Sequence, residues 1–244
     1  MKNNFLLYTS GFIVAAALLF SSCNKNYIIG GDTVDLNQFK NKSVYEALQS
    51  NHTFDTLRML IDSCPQLRDS IDQPNITYLA VPNSLITSYL QKRQTWFWQN
   101  VSTNISYTID SLIKDLRIRQ TLRDSMMMYV VHQALPYDSL TEIGAIYPTA
   151  YAKETVALSY ESSSVDPTKA GSGTSQGYNP NVSTTPRVVY IARMLRAFTI
   201  TPSNPIKKMT GTDGTRMLCP ISGMVTKNGV IYSLPLANYS LFYN

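Results

Sequence analysis

Histidine, cysteine and charge are all scarce in this chain. There are two His (His52 and His132), three Cys, and 15% Asp, Glu, Lys and Arg together, against about 25% in an ordinary globular domain. With so few soft ligands, and with no paired CxxC and no HExxH, no zinc or other metal site is expected. GxGxxG, GxxxxGK(S/T) and GxSxG are also missing, so no phosphate loop, nucleophile elbow or cofactor is expected. No internal repeat appears at a period of about 20 to 50 residues. The net charge of +5 is modest and its carriers are scattered. The densest group, Arg117, Arg119 and Arg123, alternates with Asp115 and Asp124 and reads as a solvated helix face, so nucleic acid is not an expected partner.

What is present is 244 residues, 44% of them hydrophobic, with 16 Tyr. That length buries a real core and fits one large domain, or one with a small appendage. The N-terminus has a basic Lys2, an apolar run from Phe5 to Phe20, then Ser21-Ser22-Cys23. This is a secretory signal, too short for a comfortable membrane span. Leu19-Phe20-Ser21-Ser22-Cys23 resembles the lipobox of bacterial lipoproteins, with Phe20 where Leu is usual. The resemblance implies cleavage before Cys23 and lipidation of Cys23. Residues 1–22 are then a signal peptide, 23–40 a lipidated polar tether, and 41–244 a single domain. Asn24-Lys25-Asn26 follow the Cys in place of an acidic run, so the side of the outer membrane stays open.

Ser43 and Glu46 form a capping box for a helix that the Asn51-His52-Thr53 break divides in two, with Thr53 as a second cap. Cys64-Pro65 ends the second helix, and residues 66–74 read as a turn. Ile76 to Val81 is a buried strand ended by Pro82-Asn83-Ser84. Residues 108–124 are helical, and Met126 to Leu135 either ends a helix or forms a strand. Strand-like runs follow at Glu154–Ser159, Arg187–Met194, Ala197–Ile200, Gly223–Thr226, Gly229–Leu234 and Tyr239–Tyr243. The Ser/Gly/Pro-rich stretch at 160–186 is a surface loop. Lys227-Asn228-Gly229 is a tight turn in which Asn-Gly tolerates positive φ. Helices first and strands last predict an α+β fold without parallel βαβ units.

Three segments in this order resemble the fasciclin domain. They are the strand end Thr77-Tyr78-Leu79-Ala80-Val81-Pro82-Asn83 behind its helix, the Tyr129-Val130-Val131-His132 segment, and Asn228-Gly229-Val230-Ile231-Tyr232. Tyr232 stands where that family has a closing His, and His132 is displaced. The resemblance implies a wedge of about seven strands with N-terminal and central helices packed on it, and insertions near 87–107 and 160–186. It implies an adhesion or interaction module and not an enzyme, as in the lipoproteins of Bacteroidota that accompany outer-membrane glycan import. The partner would be a protein or a glycan, beside the membrane that holds the lipid.

Trp96-Phe97-Trp98 and the abundant Tyr offer aromatic surface to such a partner. At strand spacing Trp96 and Trp98 would point one way and Phe97 the other. Either both Trp face a ligand, which makes a carbohydrate-binding surface, or one is core. A hydrolase would need a base such as His132, but His132 in an apolar run reads as a core residue. Asp-Ser/Thr-apolar triplets occur six times, at Thr33, Thr56, Ser70, Ser111, Ser125 and Ser139. They resemble O-glycosylation acceptors of exported Bacteroidota proteins and equally fit helix and turn caps. Cys64 and Cys219 remain as either a disulfide across a very long loop or two buried thiols.

Overall fold

The structure, a computed structural model, describes residues 27–29, 32–162, 187–220 and 222–235. The fold is α+β, with two four-stranded sheets and a short hairpin of β1 (Tyr27–Ile29) and β2 (Asp32–Val34). The chain joins the core earlier than residue 41. Leu36 is buried, its carbonyl accepts from Val225 N at 2.8 Å, and Phe39 bridges to Thr226.

After the β1–β2 hairpin, the helices precede most of the remaining strands. Ser43 caps α1 (Val44–Gln49) in a full capping box, with Ser43 N donating to Glu46 Oε2 at 2.7 Å. The next break is capped by Asn51, whose Oδ1 accepts from Thr53 N at 3.0 Å, so Asn51 does the work expected of Thr53. Leu57, Leu60 and Ile61 are the buried stripe of α2 (Asp55–Asp62). Residues 66–74 are not a turn. Pro65 opens α3 (Pro65–Ile71), because a first-turn amide needs no helical partner, and Leu67 and Ile71 bury one turn apart.

The first sheet has the order β4-β3-β10-β9, with β3 Ile76–Ala80, β4 Val130–Val131, β9 Met224–Val225 and β10 Gly229–Ser233. β3 and β10 run parallel, Tyr78 beside Ile231 and Leu79 beside Tyr232. Successive side chains alternate between faces, so Tyr78 and Tyr232 lie on opposite faces. Tyr78 interacts with Cys64 at the α2–α3 junction, and Tyr232 with Cys219, Tyr137 and Tyr147. The first three helices therefore cover one face and the second sheet the other. The sheet itself separates the two cysteines, and both are buried free thiols, not a disulfide.

The second sheet, of order β5-β6-β7-β8, is antiparallel throughout: β5 Ala145–Pro148, β6 Thr155–Ser162, β7 Arg187–Met194 and β8 Gly214–Leu218. Residues 197–200 are irregular, not a strand. Phe198 and Ile200 pack instead on Ala157, Ala192, Met194 and Ile206, a small cluster on the outer face of this sheet. Residues 163–186 and Tyr239–Tyr243 fall outside the described residues.

The Trp-Phe-Trp segment is not a strand. It belongs to α4 (Asn83–Asn100), a stretch of 18 residues free of Gly and Pro. Leu85 and Ile86 are buried, and Tyr89, Leu90 and Phe97 pack on the core at helical spacing. Two more helices follow, α5 (Ile109–Ile118) and α6 (Gln120–Met127), parted by extended Arg119. The apolar run from Met126 is thus both things: it ends α6 and then pairs as β4.

Candidate functional site

The C-terminal end of α4 carries the aromatic cluster, with Phe97 against the core and both Trp exposed. Only the first turns of α4 are buried, while Trp96 is 45% and Trp98 51% exposed. Residues two apart on a helix diverge by about 200°, so the two Trp do not share a face. Phe97 turns inward and stacks on Tyr107 with centroids 5.4 Å apart, and Trp96 meets Phe97 edge-on at 5.2 Å. Neither Trp is core.

The loop after α4 is tied back to it. Gln94 Oε1 accepts from Tyr107 N at 2.6 Å, Gln94 Nε2 donates to Ile105 O at 2.5 Å, and Trp98 Nε1 donates to the same oxygen at 3.2 Å. The Tyr107 hydroxyl donates to Asp115 Oδ2 at 2.8 Å, and burial first, then this bond, pushes its pKa up. The result is a rigid helix end that presents two indoles.

The residues that carry the fasciclin resemblance are clamps. Asn83 Oδ1 accepts from Thr56 N at 2.9 Å and Nδ2 donates to His52 O at 2.8 Å, joining the β3–α4 corner to the start of α2. Pro82, buried, precedes it, and Pro82 O accepts from Leu85 N. Asn228 Oδ1 accepts from Val44 N at 2.8 Å, while Nδ2 donates to Ile71 O at 2.8 Å and Gln73 O at 3.0 Å. Neither Asn228 nor Gly229 has positive φ, which corrects the turn chemistry expected from the sequence. Asn228 is used for its side chain, and Gly229 because a Cβ there would meet Ile76 O at 2.4 Å. Tyr129 is buried. His132 is exposed just past β4, not a core residue, because the strand ends before it.

Two adjoining clefts lie where the second sheet ends. The larger, about 420 Å³, is lined by Ile146, Lys153, Glu154, Arg193, Arg196 and Phe198 among others. The smaller, about 170 Å³, reaches Asp124 and Ser125 on α6. Arg193 pairs with Glu154 at 3.5 Å. Arg196 pairs with Asp213, whose carboxyl the Thr210 hydroxyl and amide, and then Arg196, hold down at about 2. His132 lines neither cleft, and His52 is bonded to Asp55 on an exposed corner. No group of three or more His, Cys, Asp or Glu that could hold a metal occurs among the described residues, and no helix among them is long and apolar enough to cross a membrane.

The acidic triplets sit at caps and helix turns. Asp55 and Asp110 lie in first helical turns, and Ser111 accepts from Thr108 N. Ser125 is 8% exposed and donates to Thr121 O, and Ser70 on α3 reaches Met127 Sδ. Thr56 is half-buried beside the Asn83 clamp. Ser139 is exposed and donates to Pro136 O. Cys23 and the Thr33 side chain lie outside the described residues.

No family model matches the chain. No curated protein matches it in sequence. Among solved structures it is similar to a FAS1 domain pair from the insect cell adhesion molecule fasciclin I, at 14% identity and a TM-score of 0.33. The match covers 73% of this chain and 43% of that one, so the chain spans less than half of the pair.

Proposed function

We propose that this chain is a non-catalytic interaction module of the cell envelope, exported and anchored by lipid on Cys23, with a single fasciclin-like domain that engages a protein or glycan partner. The observation that carries the reading is the helix end with Trp96 and Trp98 exposed and held in place by Gln94 and the Ile105 carbonyl. Aromatic anchors on a rigid element are where recognition concentrates. His132, the base a hydrolase would need, lines neither cleft. A service role beside outer-membrane glycan uptake is the context we favour, on either side of that membrane.

The carbohydrate-binding reading draws on the same two indoles, since sugar rings stack by their C–H side on exposed aromatic faces. Among the triplet residues whose side chains are described, Ser139 is the exposed one and suits glycan attachment. The test is Trp96→Ala with Trp98→Ala, assayed for polysaccharide binding and for co-purification of envelope partners. Loss of binding in a folded double mutant supports the surface, and unchanged binding removes it. Cys23→Ala should release the protein from the membrane fraction or leave it uncleaved. An unmodified, cleaved N-terminus by intact mass would defeat the anchor.

A further inference from the structure

The same helix end carries a cation that pairs with no carboxylate among the described residues. Arg93 Cζ lies 5.0 Å from the Trp96 ring centroid, 5.3 Å from Phe97 and 5.5 Å from Tyr107. Arg93 Nε is buried without a hydrogen-bond partner, and no carboxylate pairs with Arg93 among the described residues. Asp115, the acid of this cluster, is taken by the Tyr107 hydroxyl at 2.8 Å and by Arg119 Nε at 3.4 Å. Arg68 and Arg216 are stacked on rings too, but each also holds an acid, Asp72 and Glu161. Arg187, stacked on Tyr160 at 4.7 Å, pairs like Arg93 with no carboxylate among the described residues, but only Arg93 is stacked beside an exposed indole.

A guanidinium packed on aromatic faces keeps its terminal N–H groups for an anion and loses little side-chain freedom when it binds one. The guanidinium carbon of Arg93 is 5.0 Å from the centroid of Trp96, whose indole is exposed. We infer that Trp96 and Arg93 form a subsite for an acidic sugar, a pyranose that carries a carboxylate, and this rests on the interaction surface proposed above. The sugar ring lies with its C–H side on the indole face that Arg93 leaves open, and its carboxylate reaches past the indole edge to accept charge-assisted hydrogen bonds from Arg93. An acidic peptide is the weaker fit. Peptides are taken in grooves, along sheet edges or by clusters of basic residues, whereas here one cation stands beside one exposed indole.

The experiment is calorimetric titration of the folded chain with a short oligogalacturonate, its methyl ester, and a peptide of Asp and Glu. The acid should bind about tenfold or more tighter than the ester at low salt, as one charge-assisted hydrogen bond implies. Arg93→Gln should remove that preference and leave the ester unchanged, Arg93→Lys should keep part of it, and Trp96→Ala should abolish binding of both. Equal affinity for acid and ester, or an Arg93→Gln variant that keeps the preference while Trp96→Ala loses binding, overturns the subsite and leaves the surface standing. Trp96→Ala without effect on any ligand overturns both. A peptide that binds as tightly as the sugar overturns the choice of ligand, and failure of the oligogalacturonate to bind overturns the inference outright.

Discussion

Tyr78 and Tyr232 sit on neighbouring parallel strands one register step apart and point to opposite faces of the first sheet. The Tyr232 hydroxyl donates to Leu135 O at 2.7 Å, whereas the buried Tyr78 hydroxyl has no partner. A made buried bond is worth about 1 kcal/mol, and an unmade one costs about 1–3 kcal/mol. Tyr232→Phe should therefore lower stability by about 1 kcal/mol, while Tyr78→Phe should be neutral or raise it. Denaturant unfolding of both variants measures the sign, and a Tyr78→Phe variant clearly less stable than the parent would contradict the assignment.

Asn228 should be a costly polar side chain to lose. Asn228→Ala deletes three bonds to α1 and to the end of α3, at about 1 kcal/mol each, so a loss of about 3 kcal/mol is expected. Asn83→Ala, with two such bonds, should cost about 2 kcal/mol. Gly229→Ala forces a methyl against the Ile76 carbonyl, and overpacking of that kind costs about 1–3 kcal/mol. If Asn228→Ala melts like the parent protein, the clamp is not structural.

The aromatic cluster should divide by burial. Trp96→Ala and Trp98→Ala remove exposed rings and should change stability by roughly 0.5 kcal/mol. Phe97→Ala removes the ring that stacks on Tyr107 and packs on the core, and should cost about 3 kcal/mol. Thermal melts of the three variants give the order directly.

Acid should loosen the turn at Thr210–Asp213. Asp213 is lowered from 3.8 to about 2 by Thr210 and Arg196. A carboxylate lowered on folding binds its proton more weakly in the native state, so its contribution is present above about 4 and disappears as pH falls toward about 2. Asp213→Asn should flatten the stability–pH curve in that window. A curve identical to the parent's would show that the turn does not report this carboxyl.

Cys64 and Cys219 should be unreactive thiols in the native state, since both are buried and burial pushes the Cys219 thiol well up. A thiol reagent should label both only after denaturation. A mass two hydrogen atoms lighter, restored by reductant, would instead reveal a bridge between them.

Where local chemistry dominates, the sequence alone was sufficient. The Ser43–Glu46 box, the Pro65 boundary, the β-branched Ile76–Ala80 and Arg187–Met194 runs and the helices-then-strands order follow from capping, proline geometry and apolar pattern, none of which needs a distant partner. Trp96-Phe97-Trp98 failed that reading because three aromatics in a row carry no period; the helix is decided by Leu85, Ile86, Tyr89 and Leu90, which bury at its other end. Residues 66–74 failed because Pro65 both ends one helix and opens the next.

What only the tertiary structure decided is what faces what. Asn228 looked like a turn residue, yet its amide reaches Val44 and Ile71, more than 150 positions away. Cys64 and Cys219 looked like a pair, yet the parallel pairing of β3 with β10 puts a sheet between them. Arg93 looked like one of many scattered cations until folding stacked it on Trp96, Phe97 and Tyr107 and gave Asp115 to other partners. Caps and helix breaks are short-range and can be read along the chain. Sheet faces, side-chain clamps and uncompensated charge depend on which distant segments meet, and that is set when the core closes.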